Sequence, residues 1–233
     1  MFTSPLFIIF IVFMLLSWIV SSQLKRRFRK YSQTPVDNGM SGCEIAMKML
    51  NDNGIYDVKV LVTKGELSDH YNPANKTVNL SVDVYNGRNV AAAAVAAHEC
   101  GHAVQHARAY APLKLRSALV PLQNVSAKVL NAIFIGMFLG AFLLPSIFSF
   151  NTALIVIIAC YGIFTLFSFI TLPVEINASR RALAWLSNAG ITGGNSYGQA
   201  KDALKWAAYT YVVAALSSLA TLIYYVMLFL DRR

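Results

Sequence analysis

The sequence predicts a mostly α-helical, integral-membrane four-helix protein carrying one small α+β domain on its cytoplasmic side. Two observations carry that class. Hydrophobic residues make up 56 % of the 233-residue chain and charged residues only 13 %, about half the share usual in soluble domains. The deficit is concentrated in four apolar segments, each near the ~20 residues that a bilayer requires. Between the first and second of these lie about 100 residues of mixed composition, enough for one compact domain that leans on its neighbours.

The first segment, 5–20 extended back to Met1, has no basic residues before its apolar run. Its charges follow instead, which reads as an uncleaved anchor with its N-terminus outside rather than a signal peptide. Lys25, Arg26, Arg27, Arg29 and Lys30 directly follow the run, so that flank is expected in the cytoplasm. The remaining spans are expected at 129–150, 152–174 and 207–230. This leaves both termini outside and puts Lys114, Arg116, Lys128, Arg180, Arg181, Lys201 and Lys205 inside. The uncharged turn around 149–151 falls outside, as do Arg232 and Arg233, the one violation of the charge rule. The net charge of +9 therefore calls for no nucleic acid; topology and a lipid bilayer with anionic headgroups account for it.

Within the mixed region, Ile45, Ala46, Met49 and Leu50 recur at helical spacing and predict a helix over 42–50, with Gly54 as its stop. Residues 58–62 (VKVLV) read as a strand, LSDHYNPANK as a turn-rich stretch, and 77–81 (TVNLS), which alternates, as a second strand. That second strand is expected at a sheet edge, open to pair with an extended peptide, with an internal strand as the alternative. Asn86, Gly87 and Asn89 then lead into an Ala-rich helix over 90–108. Eight apolar residues precede His98 in it, too few to span a membrane, so the helix belongs to the domain or the membrane surface.

That helix carries His98-Glu99-Cys100-Gly101-His102, an HExxH pattern. With four histidines and four glutamates in the chain, chance predicts about 0.001 such patterns per sequence. Residues four apart share one helix face, so the two imidazoles can bind one Zn²⁺ while Glu99 serves as general base toward a water. Cys100 is turned about 200° from His98 and reads as a packing residue. Cys43, Cys100 and Cys160 form no CxxC pair, and free thiols suit a reducing compartment.

A catalytic zinc needs a third protein ligand. His106 continues the spacing, but lies about 12 Å along the axis from His98, too far for one ion. Glu175, two residues after Pro173 at the inner end of the third span, is the stronger candidate. An acid there is costly without a task, and two spans return the chain to the side of His102. The competing readings are a salt bridge from Glu175 to Arg180 or Arg181, and His70 as the third ligand.

The chain resembles the YugP-type membrane-bound neutral zinc metallopeptidases. The matching pieces are LSDHYNP with KTVNLS, VYNGRNVAAAAVAAHECGHAVQHA, LPVEINASRRAL and AAYTYVVAAL, spread from Ser41 to Leu216. The resemblance implies a zincin-like domain, one Zn²⁺ and cleavage of peptide bonds. Glu175-Ile176-Asn177-Ala178-Ser179 is also similar to the ExxAD pattern of membrane gluzincins such as the CAAX prenyl proteases, which implies Glu175 as a zinc ligand. Ser179 stands where those have Asp, so orienting a ligand histidine falls to Ser179, Asn177 or a distant Asp. The oxyanion needs a donor besides the metal, and His70, Tyr211, Arg180 and Arg181 are the candidates.

The expected domains are an anchor at 1–24, a cytoplasmic zinc domain with the HExxH helix at 25–125, and a transmembrane hairpin at 126–174. A cytoplasmic segment at 175–206 carries the third ligand, and a last transmembrane helix occupies 207–233. The expected activity is peptide-bond hydrolysis by a zinc-activated water, on peptide or membrane-protein substrates, at the cytoplasmic face of a bacterial plasma membrane. The alternatives are a catalytically inactive, zinc-stabilised membrane scaffold, which has no need of Glu99, and a metal-dependent amidase or lipid hydrolase using the same chemistry.

Overall fold

The computed structural model describes residues 5–143 and 150–231. Position 149 of the expected outer turn, the end of the second expected span and the terminal Arg232 and Arg233 lie outside the described residues. Among these residues the chain forms seven helices and three strands: α1 (Pro5–Tyr31), α2 (Gly42–Asp52), β1 (Lys59–Thr63), β2 (His70–Asn72), β3 (Thr77–Ser81), α3 (Val82–Asn86), α4 (Val90–Ala107), α5 (Ala111–Leu143), α6 (Phe150–Asn188) and α7 (Gly194–Leu230). Helices α1, α5, α6 and α7 are long and apolar enough to cross a membrane.

The chain packs as two compact units. One comprises Met1–Trp18, Leu115–Leu172 and Tyr211–Arg233. Its buried cluster is built on Leu130, Leu154, Ile157, Cys160 and Tyr225, with Tyr161 stacked on Tyr225 at 5.4 Å. Large apolar side chains such as Trp18 and Ile135 point outward, as a lipid-facing surface allows.

The other unit comprises Ile19–Lys114 and Pro173–Thr210, and α4 runs through its core. Asn89 caps α4 by accepting the Ala92 N–H at 2.9 Å, a cap worth about 1 kcal/mol. Most of the alanines from 91 to 97 are fully buried, because small side chains let neighbouring elements close on the helix from several sides. Helix α2 lies along it, started by a Ser41–Glu44 capping box. It buries Ile45, Ala46, Met49 and Leu50, the residues whose spacing predicts it. Burying each large apolar side chain contributes about 1.5–3 kcal/mol.

The sheet corrects one expectation. Strand β3, expected at an edge, is central: the order is β1-β3-β2. It pairs parallel with β1 (Val60 opposite Val78) and antiparallel with β2 (Tyr71 opposite Val78). Val78 and Leu80 are completely buried. The alternation in TVNLS was a sound strand signal, but it says nothing about how many neighbours a strand has. The third strand is hidden in the turn-rich stretch. Its three residues are bounded by turn formers, with the Asn72 side chain accepting the Ala74 N–H and Lys76 at φ +52° closing the hairpin. The inner edge position therefore belongs to β2, beside α4.

Helices also outrun the apolar segments that announce them. The third apolar segment ends near 174, yet α6 continues to Asn188. Its remaining residues are good helix formers, and the first stop is Gly190, at φ +64°. That continuation carries Glu175, Asn177, Ser179 and Arg181 into the same unit as α4.

Candidate metal centre

Helix α4 presents His98 and His102 on one face, and α6 brings Glu175 to them. Glu175 Oε2 lies 3.2 Å from His98 Nε2 and 3.3 Å from His102 Nε2. One ligand atom from each of the three residues falls within 4.8 Å of the others. The group is nearly sealed, with side-chain exposures of 12 % for His98, 9 % for His102 and 3 % for Glu175. Close approach of the helices depends on Gly101: a Cβ there would sit 2.6 Å from the Ala178 carbonyl oxygen.

Electrostatics follow from that burial. Desolvation works against charge on the His102 imidazole, but the Glu175 carboxylate beside it, together with Glu99 and Gln105, outweighs this and leaves its pKa raised. Burial pushes the Cys100 thiol upward; its Sγ faces the Ala46 carbonyl at 3.5 Å, on the packing side of α4. Each imidazole has a partner behind it. His98 Nδ1 is 3.1 Å from Ser179 Oγ, so the serine meets the histidine where the gluzincin pattern has an acid. His102 Nδ1 is 3.0 Å from Gln105 Oε1.

Glu99 is buried one residue beyond His98, and the Tyr71 N–H of β2 donates to its Oε2 at 3.0 Å. The Tyr71 hydroxyl in turn meets His106 Nδ1 at 2.7 Å, which ties His106 to β2. Asp69, just before that strand, accepts from the backbone N–H and hydroxyl of Ser81; burial nonetheless raises its pKa.

The other candidates fall elsewhere. His70 is exposed and turns its Nδ1 to the Ser68 carbonyl at 2.8 Å; it is not part of the three-residue cluster. Arg180 is exposed, while Arg181 donates to Asn177 Oδ1 at 2.8 Å. Tyr211 lies on α7. Two participants escaped the sequence reading, Tyr71 and Gln105. Tyr71 acts through its backbone, which leaves no mark on residue type. Gln105 did leave a signal, a polar residue one turn after His102 on the ligand face.

Two histidines four apart on one helix and a carboxylate from a distant helix form a group that could hold a metal ion, with a glutamate between the histidines in the sequence. The chain belongs to the family described as "Putative neutral zinc metallopeptidase", whose model matches residues 6–230. It is 40 % identical over 218 residues to a Bacillus subtilis (strain 168) protein named "Putative membrane protease YugP", covering 94 % of this chain and 93 % of that one. No solved structure matches.

Proposed function

We propose that this protein is an integral-membrane zinc endopeptidase that hydrolyses peptide bonds at the cytoplasmic face of a bacterial plasma membrane. The observation that carries the reading is the single Glu175 oxygen shared by two imidazole nitrogens at 3.2 and 3.3 Å. Ligand atoms about 2.0–2.1 Å from a tetrahedral zinc lie about 3.3–3.4 Å apart, so Glu175 Oε2 stands at about that spacing from a nitrogen of each histidine. Two imidazoles and a carboxylate suit zinc and leave a fourth position open. His98, His102 and Glu175 are therefore the residues that hold one Zn²⁺.

A zinc ion bound there would lower the pKa of a water and polarise the scissile carbonyl. Glu99 takes the proton of that water and delivers it to the leaving amine. The Tyr71 N–H, bonded to Glu99 Oε2, fixes the carboxylate and leaves Oε1 for the proton. An extended substrate lies alongside β2, the edge strand next to α4. The basic cluster from Lys25 to Lys30 supports the cytoplasmic orientation.

The test is hydrolysis of peptide and membrane-protein substrates by the purified chain, with and without a chelator, beside Glu99→Gln. Chelator-sensitive cleavage that zinc restores, and a loss of about 10²–10⁴-fold in Glu99→Gln with zinc content retained, is the expected result. Equal rates in the two proteins, or no zinc-dependent cleavage by the wild type, favour the inactive scaffold, which has no use for this carboxylate.

A further inference from the structure

Gln105 is completely buried, and its hydrogen bonds have only one consistent sense. Its Nε2 lies 2.8 Å from the Val174 carbonyl oxygen and 3.0 Å from Asn177 Oδ1. A carbonyl can only accept, so the amide nitrogen must face α6. The amide oxygen then faces His102 Nδ1 at 3.0 Å. That oxygen can only accept, so Nδ1 must carry a proton, which leaves Nε2, the nitrogen beside Glu175, as the one whose lone pair a metal would take. Asn177 cannot reverse the arrangement. Arg181 Nε only donates, and it reaches Asn177 at the same Oδ1, at 2.8 Å. The sequence of donors therefore runs one way, from Arg181 and Gln105 into Asn177, and from His102 into Gln105. Ser179 imposes no such constraint on His98, because a hydroxyl can donate or accept.

We infer that Gln105 is the positioning residue of the metal centre: it holds His102 in the tautomer whose Nε2 binds metal, and ties α4 to the turn of α6 that carries Glu175. The backbone carbonyl of Val174 and the side chain of Asn177 flank Glu175 in sequence. One amide thus sets the direction of one ligand and fastens the two helices beside another. The inference rests on the reading of His98, His102 and Glu175 as zinc ligands.

Three substitutions in the full-length, detergent-solubilised chain separate this role from packing, read by zinc affinity in chelator competition. Gln105→Met keeps length and apolar bulk but removes the acceptor for His102. Gln105→Glu keeps an acceptor for His102 but gives α6 no donor. His98→Ala reports on the metal site itself. The expected result is zinc binding about 10–100-fold weaker in Gln105→Met, and recovered to within a few-fold of wild type in Gln105→Glu although that variant melts earlier. A residue that merely fills space predicts the reverse order, with Gln105→Met binding zinc like wild type and Gln105→Glu binding worse; that order overturns the inference. A measurement needing no variant at this position is the ¹⁵N spectrum of the zinc-loaded wild type. A proton on Nδ1 of His102 is expected, and a proton on Nε2 contradicts the inference whatever the variants do. If wild type binds no zinc, or His98→Ala binds it equally well, the metal-site reading fails. If those two behave as proposed and only Gln105→Met matches wild type, the role of Gln105 alone fails.

Discussion

Replacing Gly101 with alanine tests the packing that assembles the site, and two effects of opposite sign meet there. Alanine is a better helix former than glycine by about 1 kcal/mol, so in an open helix the change would stabilise. In α4 the new methyl would sit 2.6 Å from the Ala178 carbonyl oxygen and 3.1 Å from its Cα. The first contact is about 0.8 Å short of the 3.4 Å where ordinary contact begins, and it is against backbone, which cannot rotate away. Overpacking of this kind typically costs about 1–3 kcal/mol, so the clash wins. Relief requires α6 to withdraw from α4, and Glu175 lies on the turn of α6 before Ala178. A shift of that size opens the 3.2 and 3.3 Å separations of Glu175 from the histidines beyond the span of a zinc shell. Gly101→Ala should therefore melt earlier, by up to about 2 kcal/mol, and lose at least tenfold in zinc affinity. Thermal unfolding and chelator competition on the same preparation measure both. A variant that melts later and binds zinc as wild type does would refute the close approach of the two helices.

Further outcomes follow from the same geometry. Ser179→Ala removes the partner of His98 Nδ1 at 3.1 Å and should weaken zinc binding about tenfold while leaving thermal stability within about 1 kcal/mol; unchanged affinity would show that the serine does not orient the histidine. Zinc at 100 times its dissociation constant should stabilise the fold by about 2.7 kcal/mol over the chelated protein; melting curves that ignore chelator would mean that no metal is bound in the folded state. Reporter domains fused after Lys30 and after Lys201 should both read as cytoplasmic, and an external reading at either would break the four-span topology with both termini outside.

The four apolar segments, the motif helix and helix α2 are legible in the sequence because each is written in a periodicity or a run length. Helix α4 was expected over 90–108 and observed at Val90–Ala107; helix α2 was expected over 42–50 and runs to Asp52. Glu175 was legible for a different reason, since an acid at the end of an apolar run needs a partner. What stayed hidden is relational. Strand β2 is three residues long among turn formers, too short for any alternation to register, and its absence from the reading put β3 at an edge. Tyr71 reaches Glu99 through a backbone N–H, which any residue but proline would supply. The orienting role of Gln105 depends on which carbonyl of α6 it meets, and no spacing within α4 encodes that.

The central claim is that one zinc ion is held by His98, His102 and Glu175. Its most direct test is zinc stoichiometry and affinity, measured by equilibrium competition on the purified full chain for wild type, Glu175→Gln and His70→Ala. The account predicts one zinc per chain in wild type, an unchanged value in His70→Ala, and sharply weakened binding in Glu175→Gln. Full zinc binding in Glu175→Gln, together with its loss in His70→Ala, would contradict it.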